Sequence, residues 1–253
     1  MTILLIIFRT MNWHNKIMIA LLMLMLPLAA QSKTYLVAVG ISDYPGVIND
    51  LRLPERDART ITALYKINSA ITYCQLLNEE ATRVKIKAAM RIFSMAGPDD
   101  TLVFFYSGHG YEGGFCAYDG DLPYKEIRKA MAKSKCKNKM IFADACFSGK
   151  IRTGGTSSQS EIPDAQKANV VLFLSSRSNE TSLERRDMQN GFFTTYLQKG
   201  LRGGADANKD RVITAKELFD YVHSNVVVLS NGEQHPVMWG KFSNNMPVLK
   251  WKK

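Results

Sequence analysis

The sequence predicts an α/β fold with a mostly parallel central sheet of about six strands and helices on both faces. Short apolar runs rich in β-branched residues recur along the chain, and segments with helical spacing of apolar residues separate them. Strands that alternate with helices favour a parallel sheet, and strands that are apolar along their whole length indicate burial on both sides. The 253 residues, 46% of them apolar, are enough for one large core.

Six runs are predicted as strands, of which the last is the weakest. In chain order they are 34–40, 70–77, 101–107, 139–145, 169–175 and 236–240. Three intervening segments are predicted as helices because their apolar side chains fall on one side. These are 82–97, 123–135 and 190–201. The sequence contains no internal repeat, so residues 31–253 are expected to form a single domain.

Residues 1–30 have the layout of a secretory signal peptide. A short polar segment that starts at Met11 and contains Lys16 precedes the apolar run Ile17–Leu28, and small residues follow up to Ala30. This run is too short to span a bilayer, and Met11 is a plausible start. We therefore expect an exported protein, periplasmic or secreted, without stable membrane association. An uncleaved anchor is the alternative.

The chain is moderately basic, with 33 Lys and Arg against 23 Asp and Glu, a net charge of +10. The basic residues are scattered, and clusters such as 125–139 are more typical of a solvated helix face than of a nucleic-acid surface. We expect a peptide or protein partner and no nucleic acid. The sequence does not indicate an oligomeric state.

Four cysteines in an exported chain raise the question of disulfide bonds. At most one bridge is expected among Cys74, Cys116 and Cys136, and no spacing identifies it. The chain contains no C-x-x-C motif, which leaves a structural zinc site or a thioredoxin-type motif unsupported.

The segment 103–115 has a glycine pattern with two incompatible interpretations. Gly108–Gly113 fits G-x-G-x-x-G after an apolar strand, which is typical of a loop that holds a dinucleotide pyrophosphate. Such a loop must open into a helix whose first amides meet the phosphate. Residues 114–123 instead have turn signals and no helical period. We favour the other interpretation, in which the glycines expose His109 for chemistry.

A cysteine occupies the corresponding place on the next predicted strand. Cys146 follows the apolar run 139–145, as His109 follows 101–107. Successive strands joined by a helical crossover are often neighbours, and ligands bind beyond the carboxyl ends of parallel strands. Alone, such a cysteine is more often a small buried residue. Together the two residues predict a thiol nucleophile and its base, because a nearby imidazole favours the reactive thiolate.

The motifs Tyr106–Gly110 (YSGHG) and Asp144–Gly149 (DACFSG) resemble the paired motifs of the metacaspases and bacterial caspase-like cysteine peptidases. Further similar segments are 35–45, 51–64, 190–203 and 216–222. Phe147 departs from the family, which often has a residue such as His after the nucleophile. The resemblance implies a caspase-like fold and a cysteine endopeptidase.

The resemblance also implies roles for individual residues. Cys146 is expected to attack a peptide carbonyl, while His109 supplies a proton to the leaving amine. The backbone N–H groups of Gly110 and Cys146 are expected to bind the oxyanion.

Cleavage after Arg or Lys is implied by an acidic pocket that motif matching places on Asp57, Ser107 and Asp144. Each residue has an alternative role. Asp57 fits an acid in a first helical turn, Ser107 a turn cap, and Asp144 a residue that only orients the nucleophile loop. Cleavage after aspartate needs an arginine-lined pocket, for which Arg177 is the only loose candidate. A catalytically silent binding module with the same fold is the alternative to an enzyme.

The segment 149–168 is polar and without apolar periodicity, and is expected to be a mobile loop. It contains Lys150, Arg152 and Lys167, so an enzyme that cuts after basic residues could cut itself there. An uncut surface loop is the equally open alternative.

The segment 206–217 places acidic and amide side chains at EF-hand positions 1, 3, 5 and 12. They are Asp206, Asn208, Asp210 and Glu217. Arg211 stands at position 6, where glycine is usual. A capping box formed by Thr214 and Glu217 explains the segment without an ion and is favoured. No cofactor is expected to be required, and calcium is the alternative.

Overall fold

The structure, a computed structural model, describes residues 12–13, 32–111, 113–146, 170–176, 187–240 and 242–251. The chain divides into two units, Met1–Gln31 and Ser32–Lys253, and the sheet and its helices belong to the second. Three predictions fall wholly or almost wholly outside the described residues. They concern the signal peptide, the loop 149–168 and Arg177.

A central sheet is formed by strands that the sequence places far apart. Its main strands are β1 (Lys33–Gly40), β2 (Ala70–Leu77), β3 (Thr101–Tyr111), β6 (Asn138–Cys146), β7 (Val171–Leu174) and β9 (Val237–Trp239). Their order across the sheet is β2-β1-β3-β6-β7-β9. The pairs from β2 to β7 are parallel, and β9 pairs antiparallel with β7.

Two smaller strand pairs accompany this sheet. A hairpin of β4 (Gly114–Ala117) and β5 (Gly120–Pro123) pairs antiparallel with the end of β3, where Gly110 opposes Phe115. Strands β8 (Val212–Thr214) and β10 (Pro247–Lys250) form a separate antiparallel pair.

Helices cover both faces of the sheet. They are α1 (Pro54–Asn68), α2 (Arg83–Ala89), α3 (Tyr124–Ala132), α4 (Phe192–Lys199) and α5 (Ala215–Leu229). Short 3-10 turns lie at Val47–Asn49, Asn78–Glu80 and Met90–Met95, and a π-helical turn at Gly200–Gly204 follows α4. Side chains of α1, α4 and α5 share one core cluster with the sheet, and those of α2 and α3 share the other.

The strands supply both core clusters by alternation. On β3, Phe104 belongs to one cluster and Phe105 to the other, and both are fully buried. Successive side chains of a strand point to opposite faces, so a strand buried on both sides is apolar throughout. This explains why the sequence shows unbroken apolar runs, and it confirms the predicted α/β fold.

All six predicted runs are strands, but two end later than predicted. The sequence places His109 and Cys146 just beyond their strands, whereas β3 continues to Tyr111 and β6 includes Cys146. The hairpin that pairs with Gly110 extends β3 through the glycine motif. The predicted helix 82–97 also changes at Met90 from α-helix to a 3-10 turn.

Cys74, Cys116 and Cys136 are free thiols, so none of them pairs with another in a disulfide bond. Within the ranges described above, no helix is long and apolar enough to cross a membrane.

Candidate active site

His109 and Cys146 lie side by side at the carboxyl ends of neighbouring strands. In the parallel pairing of β3 with β6, the Cα atom of His109 is the register partner of the Cα atom of Cys146. Two residues earlier, Ser107 is the partner of Asp144. The two pairs lie about 7 Å apart along the strands, and because side chains alternate, those of Ser107 and His109 belong to the same face of the sheet.

Two tyrosine hydroxyls hold the backbone of His109. Its N–H donates to the Tyr44 hydroxyl at 2.9 Å, and its carbonyl oxygen accepts from the Tyr106 hydroxyl at 2.6 Å. The two hydroxyl oxygens lie 3.0 Å apart, and Tyr106 also lies within 2.7 Å of the carbonyl oxygen of Cys116. Burial raises the pKa of both tyrosines, so both hydroxyls stay protonated and can donate.

The imidazole of His109 is oriented by a main-chain carbonyl. Its Nε2 atom lies 2.7 Å from the carbonyl oxygen of Asn49, and its ring centroid lies 4.8 Å from that of Tyr44. A carbonyl only accepts hydrogen bonds, so Nε2 carries a proton. In the neutral ring, Nδ1 then has the free lone pair and is the atom that can act as a base.

The turn that contains Asn49 is held at both ends. Asn49 donates from its backbone N–H to the Gly46 carbonyl at 3.0 Å and from its side chain to the Pro45 carbonyl at 3.2 Å. The carboxylate of Asp50 accepts the Tyr44 N–H at 3.1 Å. The turn and Tyr44 therefore place their contacts on His109 as one linked unit.

Gly108 is required by both its conformation and its surroundings. Its φ is +152°, where glycine is favoured, and a Cβ atom would lie 2.6 Å from the hydroxyl oxygens of both Tyr44 and Tyr106. The first glycine of the motif thus makes room for the tyrosine hydroxyls that hold His109. This supports the interpretation in which the glycines serve the histidine.

Asp57 is buried and accepts several hydrogen bonds. It lies in the first turn of α1 and is 1% exposed. Its Oδ2 accepts from the Ser107 hydroxyl at 2.9 Å. Its Oδ1 accepts from the side-chain amide of Asn190 at 2.8 Å and from the N–H of Gly191 at 3.2 Å.

Asp144 is held by the start of α4. Its Oδ2 accepts from both the N–H of Thr194, at 3.0 Å, and the Thr194 hydroxyl, at 2.8 Å. A Cβ atom at Gly191 would lie only 2.4 Å from the same oxygen. Since the Gly191 N–H also reaches Asp57, this glycine lies between the two carboxyl groups.

The two carboxyl groups repel each other's charge. Burial raises the pKa of Asp57 well above its usual range, and the neighbouring Asp144 raises it further. The hydrogen bonds that Asp57 accepts act in the opposite direction without cancelling the rise. A buried acidic pair of this kind favours a cation beside it, because a cation relieves the repulsion.

Comparison with known proteins agrees with this architecture. The caspase domain family profile matches residues 33–246. The chain belongs to the caspase domain family. No curated relative matches it. Two solved structures share the fold: a protein from Geobacter sulfurreducens has 19% identity and a TM-score of 0.60, over 82% of this chain and 92% of its own. Caspase-1 from Spodoptera frugiperda has 16% identity and a TM-score of 0.62, over 84% of this chain and 88% of its own.

The caspase domain is a cysteine peptidase type of family, and this chain has Cys and His at the ends of its two central strands. The two proposed oxyanion donors, Gly110 and Cys146, also belong to β3 and β6 at this end of the sheet. The sequence-predicted site residues therefore gather at one edge.

Sequence reasoning missed four residues of this site: Tyr44, Asn49, Asn190 and Thr194. Asn49 acts through its main-chain carbonyl, and because every residue has one, its residue type gives no signal. The other three lie in loops or at a helix start, far in sequence from their partners. The signals available in hindsight are the loop that follows β1 and the glycine that precedes α4.

In the segment 206–217, Thr214 and Glu217 form the predicted capping box of α5. The Thr214 hydroxyl accepts the Glu217 N–H at 3.3 Å, and the Glu217 carboxylate accepts the Thr214 N–H at 3.0 Å. The carboxylate of Asp206 accepts the backbone N–H groups of Asp210 and Arg211. Across the described ranges, no group of three or more His, Cys, Asp or Glu side chains is placed to hold a metal ion.

Proposed function

We propose that this protein is an exported cysteine endopeptidase that cleaves peptide bonds after Arg or Lys. Cys146 is the nucleophile and His109 is the general acid and base. The observation that carries this proposal is the pairing of His109 with Cys146 across β3 and β6 at the carboxyl edge of a caspase-type sheet.

The contacts of His109 support a definite proton path. With Nε2 donating to Asn49, the Nδ1 atom takes the proton of the Cys146 thiol. The thiolate then attacks the peptide carbonyl, and the imidazolium returns the proton to the leaving amine. Water hydrolyses the resulting thioester and releases the second product. The N–H groups of Gly110 and Cys146 are the proposed donors to the tetrahedral oxyanion.

The basic specificity is supported by two buried carboxyl groups, those of Asp57 and Asp144, near His109 and Cys146. Asp144 precedes Cys146 by two residues on β6, and Ser107 precedes His109 by two residues on β3. Asp57 already accepts three hydrogen bonds, so it contributes mainly its charge. A guanidinium or ammonium group of the substrate would neutralise the pair in a medium of low dielectric constant.

Hydrolysis of fluorogenic peptides tests the proposal. Purified protein is assayed with matched peptides that end in Arg, Lys, Asp or Asn, alongside Cys146→Ala and His109→Ala. We expect release of the fluorophore from the Arg and Lys peptides only, and loss of activity in both variants. Cleavage of the Asp peptide alone would show that the enzyme cuts after aspartate and not after Arg or Lys.

A silent protein is a distinct outcome. If no peptide is cleaved, with or without calcium, and no cysteine is preferentially alkylated, the binding-module interpretation replaces the enzyme. Export is tested separately by measuring the intact mass of the protein recovered outside the cytoplasm. We expect a mass that corresponds to cleavage after Ala30 or Ser32. A full-length mass in that fraction would contradict cleavage of the signal peptide.

A further inference from the structure

The last residues of β6 extend past their strand partner. The pairing of β6 with β7 ends at Ala143 and Leu174, whereas β6 continues to Cys146. Ala145 is 1% exposed, and its N–H and C=O both face the side of the sheet where β7 has ended. Buried main-chain groups of this kind need partners, since an unsatisfied one costs about 1–3 kcal/mol.

A single serine hydroxyl supplies both partners. The N–H of Ala145 donates to the Oγ of Ser175 at 3.0 Å, and the Ser175 hydroxyl donates to the C=O of Ala145 at 3.0 Å. The Ser175 N–H donates to the Ala143 carbonyl at 2.9 Å. The side chain of Ser175 thus continues the sheet for the residue that directly precedes Cys146.

Gln234 binds the main-chain carbonyl of Ser175. Its Nε2 donates to the Ser175 carbonyl at 2.8 Å, and its own N–H donates to the Ser230 hydroxyl at 3.0 Å. Ser175 and Gln234 are fully buried, and Ser230 is 4% exposed. Ser230 directly follows α5, so the chain of contacts runs from the end of that helix to the backbone next to the nucleophile.

We propose that Ser175 and Gln234 are positioning residues for Cys146, an inference that rests on the proposed function. The peptide group between Ala145 and Cys146 includes the carbonyl that Ser175 binds. Fixing that carbonyl fixes the plane of the peptide group and the direction in which the chain enters Cys146. A displacement of the reacting atoms by about 1 Å can lower the rate about 100-fold, so these contacts act on turnover more than on substrate affinity.

The test compares two site variants with a matched control. Ser175→Ala removes the hydroxyl, and Gln234→Glu replaces the donor to the Ser175 carbonyl with an acceptor of nearly the same shape. Ser134→Ala is the control, because Ser134 is also buried and its hydroxyl also accepts a main-chain N–H, that of Cys136 at 3.2 Å. Ser134 precedes the other end of β6, far from Cys146 along the strand.

Steady-state kinetics with the Arg peptide give the decisive readout. Active sites are counted with an irreversible peptidyl alkylator that ends in Arg, so that only folded enzyme enters kcat. We expect kcat to fall about 10- to 100-fold in Ser175→Ala and in Gln234→Glu, with KM within about twofold of the wild type. Ser134→Ala is expected to keep the wild-type kcat. If Ser175→Ala does not fold, Gln234→Glu carries the comparison.

Wild-type kcat in both site variants, or an equal loss in Ser134→Ala, would overturn the inference while leaving the peptidase assignment intact. A wild-type protein that neither cleaves a peptide nor is alkylated at Cys146 would instead overturn the proposed function. The two failures therefore differ in the behaviour of the wild type.

Discussion

The Nε2 atom of His109 and the carbonyl oxygen of Asn49 lie 2.7 Å apart. Because a carbonyl cannot donate, this contact selects the tautomer of the neutral imidazole that is protonated at Nε2. It also turns the opposite nitrogen, Nδ1, into the base of the proposed reaction.

The tautomer is itself a prediction. Nitrogen-15 NMR of histidine-labelled protein, at a pH where the ring is neutral, is expected to show His109 protonated at Nε2. A spectrum with the proton at Nδ1 would contradict the proposed proton path. His109→Ala identifies the signal, because the chain has only four histidines.

Gly108→Ala is expected to destabilise the fold more than Gly113→Ala. Both glycines have positive φ, +152° and +97°, so each substitution introduces about 1–2 kcal/mol of backbone strain. A Cβ at Gly113 meets nothing within 4 Å, whereas one at Gly108 meets two tyrosine hydroxyls at 2.6 Å. Chemical denaturation should therefore show a further loss of at least about 1 kcal/mol for Gly108→Ala. Equal losses would show that the two tyrosine hydroxyls move aside without lowering the free energy of unfolding.

Asp57→Asn is expected to make stability less dependent on pH and, at the same time, to weaken turnover of a basic substrate. Burial and the neighbouring Asp144 raise the pKa of Asp57, so the folded state favours the protonated carboxyl. The free energy of unfolding is therefore at its full value below the pKa of the unfolded state and falls as pH rises through the pKa of the folded state. The variant removes this loss, because Asn stays neutral while its oxygen can still accept from Asn190.

Two measurements check this prediction. Denaturation over a pH series should show that Asp57→Asn loses less stability than the wild type as pH rises from the acidic to the neutral range. Meanwhile kcat/KM for the Arg peptide should fall about tenfold or more, because Asn cannot ionise beside a bound guanidinium as Asp57 can. A variant that keeps the wild-type value for that peptide would remove Asp57 from the proposed pocket.

Thr214→Ala is expected to lower the free energy of unfolding by about 1 kcal/mol, because it removes the cap of α5. The loss should be the same in EDTA and in calcium, and the wild type should retain its activity in EDTA. A wild-type protein that gains stability or activity only with calcium would restore the cation alternative for 206–217.

The six main strands were predictable because burial on both faces leaves an unbroken apolar run, as in 101–107. The hairpin β4–β5 was not, since each strand has only four residues and glycine interrupts the alternation. The late end of β3 has the same origin, because it depends on pairing with that hairpin. Tertiary pairing, rather than local sequence, decides where such strands stop.

The candidate site divides in the same way. His109 and Cys146 could be found because their residue types directly follow predicted strands, whereas Asp57, Ser107 and Asp144 were found through the resemblance of the motifs to a known family. Asn49 and Ser175 could not, since one acts through a carbonyl and the other through contacts with the backbone of β6. Residues that only orient others leave little trace in a single sequence.

If His109 activates Cys146, the Cys146 thiol should be alkylated selectively near neutral pH. Burial raises the pKa of Cys116 to about 11 and also raises that of Cys136, so both should react slowly near neutral pH. Mass spectrometry after brief treatment with iodoacetamide is expected to show Cys146 modified first in the wild type. In His109→Ala the rate at Cys146 should fall at least about tenfold. Equal rates at Cys146 in the two proteins would show that His109 does not activate this thiol.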